Sequence, residues 1–126
     1  MKRIRIIAGD VSVVAELLNS KTSDAIWDAL PIENTVNTWG EEIYFEIPVK
    51  SVLDDTAKEV VEKGDLGYWP TGKAFCIFFG PTPASQGDEI RPASAVNIVG
   101  KVEGDVKVFK SIRDGANIKL ERVRIK

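Results

Sequence analysis

Three large aromatic residues stand beside turn-forming residues in this sequence. Trp39 precedes a glycine, and Tyr68 and Trp69 lie between a glycine and Pro70. Aromatic side chains on loops next to glycine and proline often form platforms for extended or proline-containing peptides. The alternative is that the same rings close the end of a β-sheet core, with their polar atoms hydrogen-bonded. The sequence leaves both interpretations open.

The longest stretch without a regular hydrophobic period runs from residue 80 to residue 92. Loops of about 12 residues or more inside compact domains are usually functional or mobile. Near its end lies Arg91, which Pro92 holds in an extended conformation. The guanidinium can bind a carbonyl or carboxylate of a ligand, or form an ion pair within the loop. We therefore predict a ligand-binding cleft that draws on the aromatic and loop residues Trp39, Tyr68, Trp69, Pro70, Phe79, Thr82 and Arg91.

The composition excludes the commonest catalytic and metal sites. The chain has no histidine and a single cysteine, Cys76, so Ser-His-Asp and Cys-His arrangements, His-ligated metals and cysteine clusters are excluded. Gly72 and Lys73 lack the spaced glycine and the Ser or Thr of a phosphate-binding loop, and no glycine pattern links a strand to a helix. We predict no catalytic residue, no metal and no cofactor.

Two pairs of adjacent carboxylates, Glu41–Glu42 and Asp54–Asp55, are candidates for acid–base chemistry. Neighbours on a strand point to opposite faces, whereas a general acid and a general base must converge on one point. Both pairs are therefore expected to be solvated surface residues.

The dominant hydrophobic period is two, which predicts β-strands. Alternation runs through residues 3–17 and is interrupted by a Gly-Asp pair at 9–10, which indicates an opening hairpin. Residues 42–47 alternate in the same way before Pro48, as in a half-buried strand. Residues 75–79 are continuously apolar, which is typical of a strand buried on both faces.

The remaining segments predict one helix and further strands. Ser20 can cap a helix whose apolar stripe ends before Pro31. Residues 54–62 form either a second short helix or a loop that leads into a strand. Strands are expected over 96–102 and 118–125, the second with a phase change near residues 121–122. Between them, a Gly-Asp turn leads into residues 106–109, and the even spacing of short strands indicates a barrel or a sandwich.

Length and charge limit the organisation and the partners. The 126 residues are 44% hydrophobic and 29% charged, which predicts one globular domain over residues 1–126. The net charge of −2 gives no general attraction for nucleic acid or an anionic membrane, and the basic residues at both ends are expected to be solvated. No apolar run approaches a membrane span or a signal peptide, and one cysteine forms no internal disulfide, so we expect a cytoplasmic location.

Several longer segments of the sequence resemble those of one protein family. They are residues 36–45 (VNTWGEEIYF), 64–70 (GDLGYWP), 78–80 (FFG) and 92–97 (PASAVN). The resemblance is to small bacterial and archaeal proteins, largely from thermophiles, that have a cyclophilin-like fold and no established function. It implies a mainly β fold, a closed antiparallel β-barrel of about eight strands with one or two short helices.

Prolyl isomerase activity does not follow from this resemblance. Cyclophilins use an arginine together with histidine and tryptophan, whereas this chain has no histidine and its Arg91 cannot be aligned with the catalytic arginine. Fold and function are separable. We expect a binding module that takes a peptide or a small ligand at the aromatic cleft, without nucleic acid or membrane. The alternatives are a subunit of a larger enzyme complex, with a protein partner, and a weak prolyl isomerase.

Overall fold

A computed structural model describes residues 2–123 of the chain, and within that range the backbone is mainly β-structure. The strands and the helix, in chain order, are β1 (Lys2–Ala8), β2 (Val11–Leu17), α1 (Lys21–Ala29), β3 (Ile32–Thr35), β4 (Asn37–Thr38), β5 (Glu42–Glu46), β6 (Ala57–Lys58), β7 (Asp65–Trp69), β8 (Ala74–Phe78), β9 (Val96–Val102) and β10 (Asn117–Arg122). Two 3₁₀ segments, Pro70–Gly72 and Val106–Ser111, complete the set.

The strands form one nearly closed antiparallel barrel. Their order is β3-β10-β1-β2-β9-β7-β8-β5-β4, and the short β6 pairs with β9. Strands β3 and β4 follow one another with only Val36 between them, and they pair with β10 and β5, the two ends of the remaining sheet. If β3 and β4 are counted as one strand, the barrel has eight strands. The Nδ2 of Asn34 on β3 donates to the carbonyl of Glu46 on β5 at 2.8 Å, which ties the seam. The predicted barrel is confirmed.

The opening hairpin and the helix form as the sequence predicts. Ala8 pairs with Val11 across a two-residue turn, where Gly9 has φ +58°, a conformation that favours glycine. Ser20 caps α1, since its Oγ accepts from the amide of Ser23 at 3.1 Å. The helix packs Ile26 into the barrel core. None of the helices in residues 2–123 is long and apolar enough to cross a membrane.

Strand β8 is buried on both faces, as its continuous apolar run predicts. Phe75 and Ile77 point into the barrel, where they join the main core. Cys76 and Phe78 point outward and join a second apolar cluster on the outside of the barrel. That outer cluster consists of Val61, Ala74, Cys76, Phe78, Ile90, Val96 and Ile98. Its cover comes from two irregular segments, joined where Val61 and Ile90 form an isolated β-bridge.

Two expectations need correction or completion. Residues 106–109, which follow the predicted Gly-Asp turn, belong to a 3₁₀ helix, because Asp105 accepts a hydrogen bond from the amide of Lys107 at 2.9 Å and caps it. Residues 54–62 are irregular apart from β6 and the bridge at Val61, so they form the loop and not the helix. The basic residues Arg124 and Lys126, and the end of the strand predicted to reach residue 125, lie outside the described residues.

We predict that Gly100→Ala destabilises the barrel. Gly100 lies in β9 between β2 and β7, and a Cβ there would overlap the carbonyl oxygen of Glu16. Because that neighbour is backbone, the strand pair must move apart, and we expect a loss of at least about 2 kcal/mol of unfolding free energy. Urea unfolding measures it. Gly9→Ala is the comparison for backbone strain without a clash, since Gly9 has φ +58° and its Cβ would meet nothing within 4 Å, and it should lose only about 1 kcal/mol. Equal losses for the two variants would contradict the close packing of β9.

Candidate functional site

A cleft of about 230 Å³ opens on the outside of the barrel, beside the outer apolar cluster. Its floor is the outer face of β5, one wall comes from the end of β7, and the other comes from the segment that enters β9. The lining residues are Trp39, Glu42, Tyr44, Trp69, Pro92, Ala93 and Val96. Three of these seven are aromatic and one is ionisable at neutral pH, so the cleft combines apolar walls with a single acid.

The aromatic walls are fixed by hydrogen bonds and by ring packing. The amide of Trp39 donates to the carbonyl of Glu42 at 2.9 Å, which closes the turn before β5. The rings of Tyr44 and Trp69 meet edge to face, with centroids 6.4 Å apart and planes at 80°. The Nε1 of Trp69 donates to the Oγ of Ser94 at 2.7 Å. These contacts hold the walls in place without a ligand.

The loop before the cleft is held by its own polar groups. The Oγ of Ser85 accepts from the amides of Thr82 and Arg91, at 2.9 and 3.1 Å. The hydroxyl of Thr82 donates to the carbonyl of Arg91. Such cross-loop bonds are typical of compact surface loops packed by their own side chains. They set the position at which Pro92 and Ala93 enter the cleft wall.

Glu42 is the one carboxyl that lines the cleft. It alternates with the inward-facing Ile43 and therefore points outward, opposite Phe78 of β8. The side chain is nevertheless buried, since Glu42 is only 5% exposed, and its Oε1 has no hydrogen-bond partner. Buried polar atoms are normally hydrogen-bonded. A ligand in the cleft that donates a hydrogen bond to the Glu42 carboxyl would supply a missing partner.

Burial changes the protonation of Glu42. Loss of hydration raises the pKa of the Glu42 carboxyl to about 7, and the thiol of Cys76 on β8 acts in the opposite direction by hydrogen bonding. Burial also raises the pKa of the Cys76 thiol well above its ordinary value, and the nearby carboxylate adds to that rise. The thiol is therefore neutral and unreactive, while Glu42 exchanges its proton near neutral pH.

Trp39 and Trp69 are the two predicted site residues that line this cleft. Tyr68, their neighbour in sequence, is fully buried inside the barrel because it shares its face of β7 with Leu66. Its hydroxyl donates to the carbonyl of Val49 at 2.6 Å and accepts from the amide of Ser51 at 3.2 Å. Tyr68 is thus a core residue whose polar atom is satisfied, and it does not converge with the tryptophans.

The other predicted site residues, Pro70, Phe79, Thr82 and Arg91, do not line this cleft. Pro70 opens the 3₁₀ turn after β7. Phe79 packs in the main core against Phe109, with ring centroids 5.9 Å apart. Thr82 holds the loop, as described above. Arg91 forms an ion pair with Glu89, with Nε 2.8 Å from Oε2, which is the intraloop alternative raised for it. A ligand contact for these residues stays a prediction.

The expectation of a solvated Glu41–Glu42 pair is wrong for Glu42. The alternation of β5 places Glu42 correctly on the outer face, but that face is covered at this end of the strand. Sequence reasoning also missed Tyr44 and Pro92 as lining residues. The continuous apolar run of β8 could have indicated the burial, because its apolar outer face requires a covering segment and β5 is its neighbour in the barrel. No group of three or more His, Cys, Asp or Glu side chains within residues 2–123 is placed to hold a metal ion.

Comparison with known proteins agrees with the fold. A family model described as Cyclophilin-like matches residues 2–121, so the chain belongs to the cyclophilin-like family, and the resemblance noted in its sequence is confirmed. The solution structure of a hypothetical protein from Archaeoglobus fulgidus is 43% identical, with a TM-score of 0.83 over 97% of this chain and 95% of that one. No curated protein matches the chain. The family therefore establishes the architecture, and the site itself must carry any argument about function.

We predict that Glu42→Gln stabilises the protein above neutral pH. Because the pKa of Glu42 is raised from 4.5 to about 7, the folded state binds more protons than the unfolded state in that window. Stability contributed by the neutral carboxyl is complete below pH 4.5 and is lost as the pH rises through 7. The loss is about 3 kcal/mol, and an uncharged amide avoids it.

Urea unfolding at pH 4.5, 6 and 8 measures this difference. The variant and the wild type should agree at the lowest pH and diverge toward the highest. Glu46→Gln is the control, since Glu46 occupies the same outer face of β5 but is exposed, and it should show no such divergence. A constant difference between Glu42→Gln and wild type at all three pH values would refute the buried, proton-exchanging carboxyl.

Proposed function

We propose that this protein is a binding module whose outer cleft takes a small ligand or one side chain of an extended peptide. The observation that carries the proposal is the buried Oε1 of Glu42, which has no partner at the floor of an aromatic cleft. An unsatisfied buried acceptor costs about 1–3 kcal/mol. A ligand that donates to the Glu42 carboxyl offsets part of that cost.

The size and rigidity of the cleft favour a small occupant. Pockets for drug-sized ligands span roughly 300–1,000 Å³, and this cleft is smaller at about 230 Å³. Trp69 is held by Ser94 and by the edge of Tyr44. Pre-organised aromatic walls lose little side-chain entropy on binding, which favours affinity from a limited contact area. A single ring or a short aliphatic group is the matching size.

One observation favours a second function, that of a subunit in a larger complex. Val52, Leu53 and Val60 are exposed on the segment that covers the outer cluster. Contiguous exposed apolar patches are typical of protein contacts, and these three residues supply exposed apolar groups on one segment. The isomerase alternative has less support, because the guanidinium of Arg91 is paired with Glu89 and does not line the cleft. Small-ligand binding remains the better-supported function.

Compartment and partners follow from the same residues. Cys76 is free and buried, and a free thiol suits a reducing compartment, so we propose a cytoplasmic location. With a net charge of −2 we propose neither nucleic acid nor an anionic membrane as a partner.

Tryptophan fluorescence tests the proposal, because two of the three tryptophans line the cleft. The third, Trp27, lies on α1 beneath the guanidinium of Arg122, 4.8 Å from its ring centroid. We predict that a panel of benzyl compounds and short proline-containing peptides changes the emission of Trp27→Phe as much as that of wild type. The double variant Trp39→Phe/Trp69→Phe should lose the response.

Two controls define the outcome. Tyr68→Phe removes a core hydroxyl and should bind the same ligands as wild type, although it should be less stable by about 1–2 kcal/mol. A ligand response that survives in the double variant would place binding elsewhere. No response from any probe in wild type or Trp27→Phe would remove the binding-module proposal.

A further inference from the structure

We propose that the cleft selects an organic ammonium ion, an apolar group that carries a protonated amine whose N–H bonds donate to Glu42. This inference rests on the proposed function, since it names the chemistry of the ligand for the same cleft. It follows from the charge of the lining residues, from the aromatic walls and from the hydrogen-bonding capacity of the carboxyl.

The charge of the lining selects against anions. Of the seven lining residues, Glu42 alone ionises at neutral pH, and none is lysine or arginine. Arg91 at the loop end is paired with Glu89, whose Oε2 accepts from its Nε at 2.8 Å. An anionic ligand would therefore meet a like charge in a site of low dielectric constant, whereas a cation meets its opposite charge.

The aromatic walls act in the same direction. Trp39, Tyr44 and Trp69 line the cleft together with Glu42. The face of an aromatic ring attracts a cation by its quadrupole, and tryptophan does so most strongly. This chain uses the same interaction elsewhere, where the guanidinium of Arg122 lies over Trp27. The walls that exclude water from Glu42 thus also stabilise a positive charge beside it.

The hydrogen-bonding capacity of Glu42 requires a donor. An ionised carboxylate is an acceptor only, and its Oε1 is free. An ammonium group offers up to three donors and forms charge-assisted bonds, which are about twice as strong as bonds between neutral groups. An alcohol of the same shape offers one neutral donor. The amine should therefore be preferred over the alcohol by about tenfold or more.

Binding of the ammonium is coupled to loss of a proton from Glu42. The titratable groups that face Glu42 are Cys76 from β8 and Tyr44 from its own strand, and the other walls are apolar. The bound cation holds Glu42 as the carboxylate, so any proton on the carboxyl before binding passes to the solvent. With a pKa of about 7, Glu42 releases about half a proton per ligand at pH 7 and almost none at pH 9.

Calorimetric titration with three matched probes tests this inference: benzylamine, benzyl alcohol and benzoate. At pH 8 we expect benzylamine to bind at least tenfold more tightly than benzyl alcohol and benzoate not to bind. In Glu42→Gln the preference for the amine should fall below about threefold, whereas Glu46→Gln should keep it. Titration at pH 7 in two buffers of different ionisation enthalpy should show release of about half a proton. Acetyl-Ala-Lys-Ala-amide as a further probe distinguishes a peptide lysine from a free amine as the source of the cation.

The failures of the inference and of the proposed function are distinguishable. Equal affinity for benzylamine and benzyl alcohol in wild type would overturn the ammonium preference and leave the binding module standing. A preference that persists in Glu42→Gln would also overturn it, because the charge of Glu42 would then play no part. Absence of binding by every probe, including the panel of benzyl compounds and peptides, would overturn both.

Discussion

The structure depends on the burial of both faces of β8. The inner face, with Phe75 and Ile77, belongs to the barrel core, and the outer face, with Cys76 and Phe78, is equally apolar. Water cannot be excluded from an outer barrel face by the barrel itself, so another part of the chain must cover it. Two irregular segments do so, and the bridge between Val61 and Ile90 joins them. The cleft is the place where that cover stops short of the outer face of β5.

This constraint also explains why Glu42 is buried. On an ordinary half-exposed barrel strand an outward-facing glutamate is solvated, as Glu46 is four residues further along β5. Glu42 lies opposite Phe78, at the end of the strand that the cover reaches. Water is removed from the carboxyl by groups that pack on the outer cluster, and no donor replaces the water at Oε1. The same segments that cover the outer face of β8 thus leave the Glu42 carboxyl buried.

The local structure could be predicted from the sequence, whereas the site could be predicted only in part. Alternation identified the opening hairpin and β5, the capping residue Ser20 located α1, and the apolar run of β8 indicated its double burial. These features depend on neighbours within a few residues. Glu42 shares the cleft with residues about 50 positions away, Pro92 and Ala93. Periodicity gives the face to which a side chain points, and it does not show whether a distant loop covers that face.

Tyr68 and Trp69 show the same limit at single-residue scale. Both residues lie in the segment 64–70, and both were predicted to line one cleft. Adjacent residues on a strand, however, point to opposite faces. Tyr68 therefore faces the core and Trp69 faces the cleft. The alternation with Leu66 could have separated them before the fold was known. Trp39 and Trp69 line a cleft and Tyr68 does not, and strand phase is the criterion that separates them.

The unliganded state carries a disadvantage that binding can reverse. A buried carboxylate with one unpartnered oxygen destabilises the fold once the pH exceeds its raised pKa of about 7. Replacing such a group by an uncharged residue is often stabilising, so a buried charge is weak evidence for a role in stability. In the proposed function, the charge of Glu42 changes the free energy difference between the empty and the occupied cleft. A ligand that supplies N–H donors and positive charge removes the disadvantage, and the folded protein is stabilised by mass action in proportion to occupancy. In the proposed binding module the barrel supplies rigid walls, and the buried acid at the floor supplies the selectivity.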